Sequence, residues 1–308
     1  MMRTMERERS TLRGFCFGML LMAVLFRLAA AVQWDRLTVR DVPTETAASV
    51  APTAEYPTLL YVPEPTVPID AEVTVDNACG AQFDMQALLA EPLPLKKSGE
   101  PTVLIVHTHA TEAYTPTGGA QYTASSAYRT EDTAYNVVRV GQALCDGLNA
   151  NGIVTLHDTS LNDLAGYDGA YERMAETIRA YLDEYPSLQM VIDVHRDAAV
   201  DANGQQVAVT TELRGEEYAR LMLVMGTELS GLEHPNWQRN LACALRLQSI
   251  GEARAAGLFR ALTLRAGRYN EHLTDCSMLV EVGTAGNTLP QALRSVELLA
   301  DLLAELFS

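Results

Sequence analysis

The chain has 308 residues, 48% of them hydrophobic and 20% charged, enough to bury a full core in one domain or two. Its formal charge of -16 argues against a nucleic-acid ligand, because no Lys/Arg cluster beyond the N-terminus offsets repulsion by a phosphate backbone. Five cysteines (Cys16, Cys79, Cys145, Cys243 and Cys276) stand far apart without a C-x-x-C pair, so neither a disulfide framework nor a thiolate zinc site is indicated, and they read as buried apolar residues with room for one incidental pair.

At the start of the chain, Arg3, Arg7, Arg9 and Arg13 precede the apolar run Phe15 to Phe26, which resumes after Arg27 as Leu28 to Val32. A membrane span needs about 20 apolar residues, and this stretch suffices when Arg27 snorkels to the interface. Residues 1–34 therefore read as a cytoplasmic tail and transmembrane anchor helix, with the remainder outside the cytoplasm by the positive-inside rule. Ala29-Ala30-Ala31 supports the alternative of a cleaved signal peptide. Residues 35–100, rich in Pro, Thr, Ala and Glu, read as a disordered extracytoplasmic linker with one short helix within Phe83 to Leu93.

From Pro101 the texture changes to strand-length apolar runs alternating with helical patterns. The runs Thr102–Val106, Ile153–Leu156, Met190–Val194, Leu221–Met225, Leu262–Leu264 and Met278–Val282 predict strands. Between and after them, helices are predicted from Ala134 to Asn151, through Met174, Ile178 and Leu182 to Pro186, over Asn240–Ala256 and over Leu289–Phe307. This order predicts one α/β domain over residues 101–308, with a mostly parallel central sheet flanked by helices.

The histidines and carboxylates fall at the carboxyl ends of these strands, the edge where open α/β sheets bind ligands. The first strand runs into His107-Thr-His109-Ala-Thr-Glu112, the third into His195-Arg196-Asp197, and the last carries Glu281. If the chain stays extended, His107 and His109 point to one side, within reach of His195. Three nitrogen or oxygen ligands with a fourth position for water suit zinc, and Glu112 adds a carboxylate three residues after His109. Glu281 sits where a buried strand favours an apolar group, which marks it as the proton carrier. Asp193 shares the face of His195 and is placed either to hold it or to make a structural hydrogen bond. His157, His234 and His272 read as surface or substrate-rim residues.

Long motifs at these positions closely resemble the stage II sporulation protein P family, within the zinc-dependent N-acetylmuramoyl-L-alanine amidases. They include Val103-Leu-Ile-Val-His107-Thr-His109-Ala-Thr-Glu112-Ala-Tyr114, Asn136-Val-Val-Arg-Val-Gly141 and Tyr167-Asp-Gly-Ala-Tyr171. Val194-His195-Arg196-Asp197, His234-Pro-Asn-Trp237, Arg268-Tyr-Asn-Glu-His272-Leu273 and Val280-Glu281-Val282-Gly283 follow in order. The resemblance implies hydrolysis of the peptidoglycan amide between the muramic acid lactyl group and L-alanine, cleavage of cross-links, and action beside the sporulation lytic transglycosylase called stage II protein D. It implies His195 as a metal histidine and Glu281 as the catalytic glutamate. It aligns the first metal histidine with His109, with His107 kept as an alternative, and it leaves the carboxylate ligand open between Glu112 and Glu131-Asp132. The same residues also follow the logic of a zinc carboxypeptidase, in which Arg196 or Arg268 holds a terminal carboxylate. Arg196, Arg268 and His272 are accordingly the candidate substrate-binding residues. A non-catalytic wall-binding module on a tether is the third reading.

Overall fold

The computed structural model describes residues 58–61 and 73–307. Seven strands form the central sheet: β2 (Val75–Asn77), β9 (Leu262–Leu264), β8 (Leu221–Met225), β10 (Met278–Thr284), β5 (Met190–Asp197), β3 (Val103–Val106) and β4 (Thr155–His157), in that spatial order. Every neighbouring pair is parallel except β8 with β10. The α/β class and the mostly parallel sheet are therefore as the alternation of runs implies. A smaller sheet of β1 (Thr58–Tyr61), β6 (Ala208–Leu213) and β7 (Glu216–Ala219) has no counterpart in the sequence reading.

Strand alternation divides the core. Val103, Ile105, Met190, Ile192, Met278 and Val280 face α2 (Val137–Ala150), α4 (Trp237–Arg254) and α5 (Leu289–Ala304). On the opposite face, Leu104, Val106 and Val191 pack with Met174 and Ile178 of α3 (Ala170–Glu184). The helices start where their caps dictate: Asn136 accepts from Val138 N–H at 2.9 Å, and Thr288 forms a capping box with Gln291.

The linker boundary needs correction. Within the expected linker, β2 extends the main sheet, α1 (Met85–Ala90) packs on α4, and Leu88 and Leu95 join the core. The short helix expected within Phe83 to Leu93 is present, but the three residues of β2 carry too little periodicity to read, and the irregular texture conceals the burial of this stretch. The expected anchor lies outside the described residues, and no helix among the described residues is long and apolar enough to cross a membrane. Cys243 on α4 and Cys276, both fully buried, form a disulfide that joins the helix to the approach to β10.

Candidate active site

Strands β3, β5 and β10 deliver their ends to one edge, and the register pairs Glu281 directly with His195. After Val106 the chain does not stay extended. Thr108 donates from its backbone N–H and hydroxyl to the two oxygens of Asp193, at 2.9 and 2.5 Å, and a turn follows. That turn separates the two histidines that extended geometry would have aligned. His109 comes to the face of His195, with ring centroids 5.4 Å apart. His107 goes to the other face, its Nδ1 2.9 Å from Val194 O and its Nε2 2.9 Å from His157 Nε2. The His107 ligand assignment is corrected on this ground.

Glu112 lies beneath the pair. One of its oxygens is 3.4 Å from His195 Nδ1 and accepts from Arg196 N–H at 3.1 Å, while the other lies 3.4 Å from Arg129 Nη2 and 3.7 Å from Arg196 Nη1. Asp193 Oδ1 stands 2.9 Å from His195 Nε2, off the alignment of a full hydrogen bond. Burial opposes charge on every one of these groups, yet Arg196 and His195 hold the Glu112 carboxyl well below the carboxylate range. Against its own burial, His195 is pushed well above the usual imidazole range by Asp193 and Glu112. Two carboxylates on one imidazole demand positive charge, met by a proton on the ring or by a cation between Nδ1 and Glu112. Burial and then the nearby His195 push His109 down to about 4, so its imidazole is neutral at physiological pH.

Glu281 is half-buried, and its Oε2 is enclosed without a hydrogen-bond partner. Burial, followed by the neighbouring Asp197, raises its carboxyl to about 8. A carboxyl titrating near neutral pH both takes and returns a proton readily.

Several contacts around this centre have no periodic signal in the sequence, although Tyr167 and Tyr171 fall in one of the motifs shared with the family. Asp163 accepts from Thr111 N–H, the Thr111 hydroxyl and Arg129 Nη1, clamping the loop before α3 onto the turn that carries His109 and Glu112. Tyr167 of that loop stacks on the His109 ring at 4.1 Å, and Tyr171 meets the ring edge-on at 5.6 Å. Asp163, Arg129 and Thr111 lie 18 to 52 positions apart, and no periodicity links them.

The candidate substrate residues divide. Arg196 is buried, with Nε donating to Ala113 O and Nη2 to Tyr128 O, so its guanidinium positions the Glu112 loop and is not free to hold a substrate. This corrects the substrate assignment. Adjacent strand residues alternate faces, so Arg196 turns away wherever His195 faces the site. Arg268 stays partly exposed, donating to Glu233 O, and His272 is half-buried in the same segment. His234, expected at the rim, is fully buried, with Nε2 3.7 Å from Glu271 Oε2. Glu131 and Asp132 are exposed, and Asp132 accepts from Ala134 N–H, remote in role from the pair at His195.

The family model of stage II sporulation protein P matches residues 64–304. The chain belongs to the stage II sporulation protein P family. Stage II sporulation protein P of Bacillus subtilis (strain 168) is 26% identical over 226 residues, covering 70% of this chain and 53% of that protein. The chain thus spans about half the length of the curated relative it matches. Among solved structures, amidase AmiC2 of Nostoc punctiforme is 14% identical, covering 68% of this chain and 96% of that one, with a TM-score of 0.39. Amidase Ami1 of Mycobacterium smegmatis gives 14%, 68%, 96% and 0.40 for the same quantities. An amidase of Clostridium difficile 630 gives 15%, 68%, 94% and 0.37.

The side chains can be compared with what a metal requires. As they stand, no three His, Cys, Asp or Glu among the described residues close on one metal-sized point. Two of the spacings are nevertheless of the size a zinc site has. Its ligand atoms stand about 3.3 Å apart and two imidazole centroids on it about 5 Å apart, close to the 3.4 Å between Glu112 and His195 Nδ1 and the 5.4 Å between the rings. His109 Nδ1 is buried without a partner, a further donor atom on the ring that faces His195.

Proposed function

We propose that this stage II sporulation protein P family member is a zinc-dependent peptidoglycan hydrolase of sporulation, cleaving the amide between the muramic acid lactyl group and L-alanine. The observation that carries the reading is the pairing of Glu281 with His195 across β10 and β5, beside Glu112 on the His195 ring. His109, His195 and Glu112 are the residues that would hold zinc. Bound there, the ion would supply Lewis-acid polarisation of the amide carbonyl and acidify a water.

The chain's own groups account for the rest. Glu281 removes a proton from the attacking water and returns it to the departing amine, a double duty suited to a carboxyl raised to about 8. Asp193 holds His195 Nε2, so that Nδ1 faces Glu112. Arg129 and Asp163 fix the Glu112 turn. Cleavage of peptide cross-links and action beside the lytic transglycosylase stage II protein D follow from the family resemblance and belong to the same proposal. So does an extracytoplasmic position behind the N-terminal anchor; the Cys243–Cys276 disulfide supports an oxidising compartment. A carboxypeptidase is less well supported, because Arg196, one of its two candidate carboxylate holders, is tied to backbone carbonyls.

The test is mass spectrometry of fragments released from purified peptidoglycan by the zinc-supplied protein, beside Glu281→Gln. Free stem peptides beginning with an L-alanine amine are expected, with release by the variant down about 10³-fold. Loss of terminal residues alone would indicate a carboxypeptidase, and no release by a zinc-loaded protein would defeat the hydrolase reading.

A further inference from the structure

Amide hydrolysis moves negative charge onto the carbonyl oxygen, and a fixed donor aimed at that oxygen accelerates the step. The cationic side chains nearest the site are already committed. Arg196 is bonded to Ala113 O and Tyr128 O, Arg129 to Thr111 and Asp163, and Arg260 to Asp197. His195 lies between two carboxylates. Besides a bound ion, the donors that remain at the centre are phenols.

Of the two tyrosines against His109, Tyr167 is the one placed to meet a substrate. Its ring lies flat on the His109 ring, the planes 5° apart, and the Arg129 guanidinium carbon is 5.4 Å from its centroid. Yet the residue is 56% exposed, so it is both held at the site and open to what arrives from solvent. Among the described residues no hydrogen bond uses its hydroxyl. Tyr171, by contrast, is wedged between His109, which it meets edge-on, and the tilted ring of Tyr269. The backbone explains how Tyr167 reaches this place. Gly166 and Gly169, at φ 123° and 78°, flank it in conformations that glycine adopts freely, folding the loop back over His109, and Asp163 pins the loop to Thr111.

We propose that Tyr167 is a catalytic residue whose hydroxyl donates a hydrogen bond to the carbonyl oxygen of the amide being cleaved, an assignment that rests on the amidase reading above. In the step, the water oxygen bonds to the carbonyl carbon as Glu281 takes a water proton. The carbonyl π pair moves onto oxygen, where the phenol donates its hydrogen bond while keeping its proton. The C–N bond then breaks, the carbonyl re-forms, and Glu281 returns the proton to the amine.

Tyr167→Phe keeps the stack and removes only the hydroxyl. With the full chain, zinc and a soluble N-acetylmuramoyl peptide, kcat should fall about 10²-fold, with KM, zinc content and thermal midpoint at wild-type values. A wild-type kcat in Tyr167→Phe would overturn the assignment, as would a loss that appears in KM or in zinc content. Wild type and Glu281→Gln run alongside separate the two levels. If wild type is active and Glu281→Gln is not, an unaffected Tyr167→Phe removes only the Tyr167 assignment; if wild type releases no amine, the amidase reading fails and takes this assignment with it.

Discussion

Two histidine pairs hang from neighbouring strands, the front pair from β3 and β5 and the rear pair from β3 and β4, and differ in almost everything but residue type. On the front of the sheet edge, His109 and His195 meet Glu112, Asp193 and Glu281, with polar atoms left unpartnered. Behind it, His107 and His157 face each other nitrogen to nitrogen at 2.9 Å, His107 is bonded on to Val194 O, and His157 Nδ1 lies 3.2 Å from Gln142 Oε1. Carboxylates in front demand positive charge; at the rear, neutral rings satisfy His107, whose Nδ1–H donates to Val194 O and whose Nε2 accepts from His157 Nε2–H, and leave only the His157–Gln142 contact without a proton. Burial, and then His157, push His107 down to about 3, and burial pushes His157 down to about 4. Imidazoles alone therefore do not mark a functional site. Carboxylates with orphaned atoms beside them do.

The comparison breaks most sharply at Asp193, which serves the front pair. Asp193→Asn should weaken zinc binding by about 10- to 100-fold, since the carboxylate on the far nitrogen orients and polarises a ligating histidine. The Thr108 N–H keeps an acceptor in this variant, so the fold should persist. Zinc titration by calorimetry measures the effect; unchanged affinity would remove Asp193 from the site and make it a fastener for the Thr108 turn.

The rear pair should respond in stability and not in zinc binding. Gly141 of α2 lies against both rings: a Cβ there would stand 2.4 Å from His107 Nε2 and 2.8 Å from His157 Nε2. Gly141→Ala should gain about 1 kcal/mol of helix propensity but lose about 1–3 kcal/mol by overpacking, a net loss of stability at the upper end of that range. Denaturant unfolding with a parallel zinc titration checks this. A more stable variant would mean that the rear rings move aside at no cost, and weaker zinc binding would mean that the two faces are coupled through Val194.

These differences explain what the sequence made legible. Strands such as Val103–Val106 and Met190–Val194 were readable because burial on both faces leaves continuous apolar runs, and the residues at their ends followed from topology alone. Which side of the sheet His107 takes was not readable, because it depends on Thr108 bonding to a carboxylate 85 residues away. The hairpin of β6 and β7 was hidden for a local reason. It turns on Arg214-Gly215, both at positive φ, without the Asn-Gly or Asp-Gly signal, and its strand carries Thr210 and Thr211 in place of an apolar run. The Arg196 orientation was recoverable from alternation with His195; the Asp163 clamp was not, being a loop-to-loop contact without a period.

The last expected effect concerns acid. A group whose folded pKa is depressed leaves the unfolded chain to bind protons first, so its stabilisation is present above the unfolded value and is lost as pH falls towards the folded one. For His107 and His157 that window runs from an ordinary 6.5 down to about 3 and about 4. Each contributes a slope of at most about 1.4 kcal/mol per pH unit, less for His157, which is partly exposed. In the double variant His107→Gln, His157→Gln, stability should therefore fall less steeply with acid across this window. Some slope remains, because His109 is also depressed, to about 4. Unfolding free energies measured every half unit from pH 7 to 4 decide the matter. An unchanged slope would mean that the rear rings accept protons while folded, and the contrast between a charge-demanding front and a neutral rear would be lost.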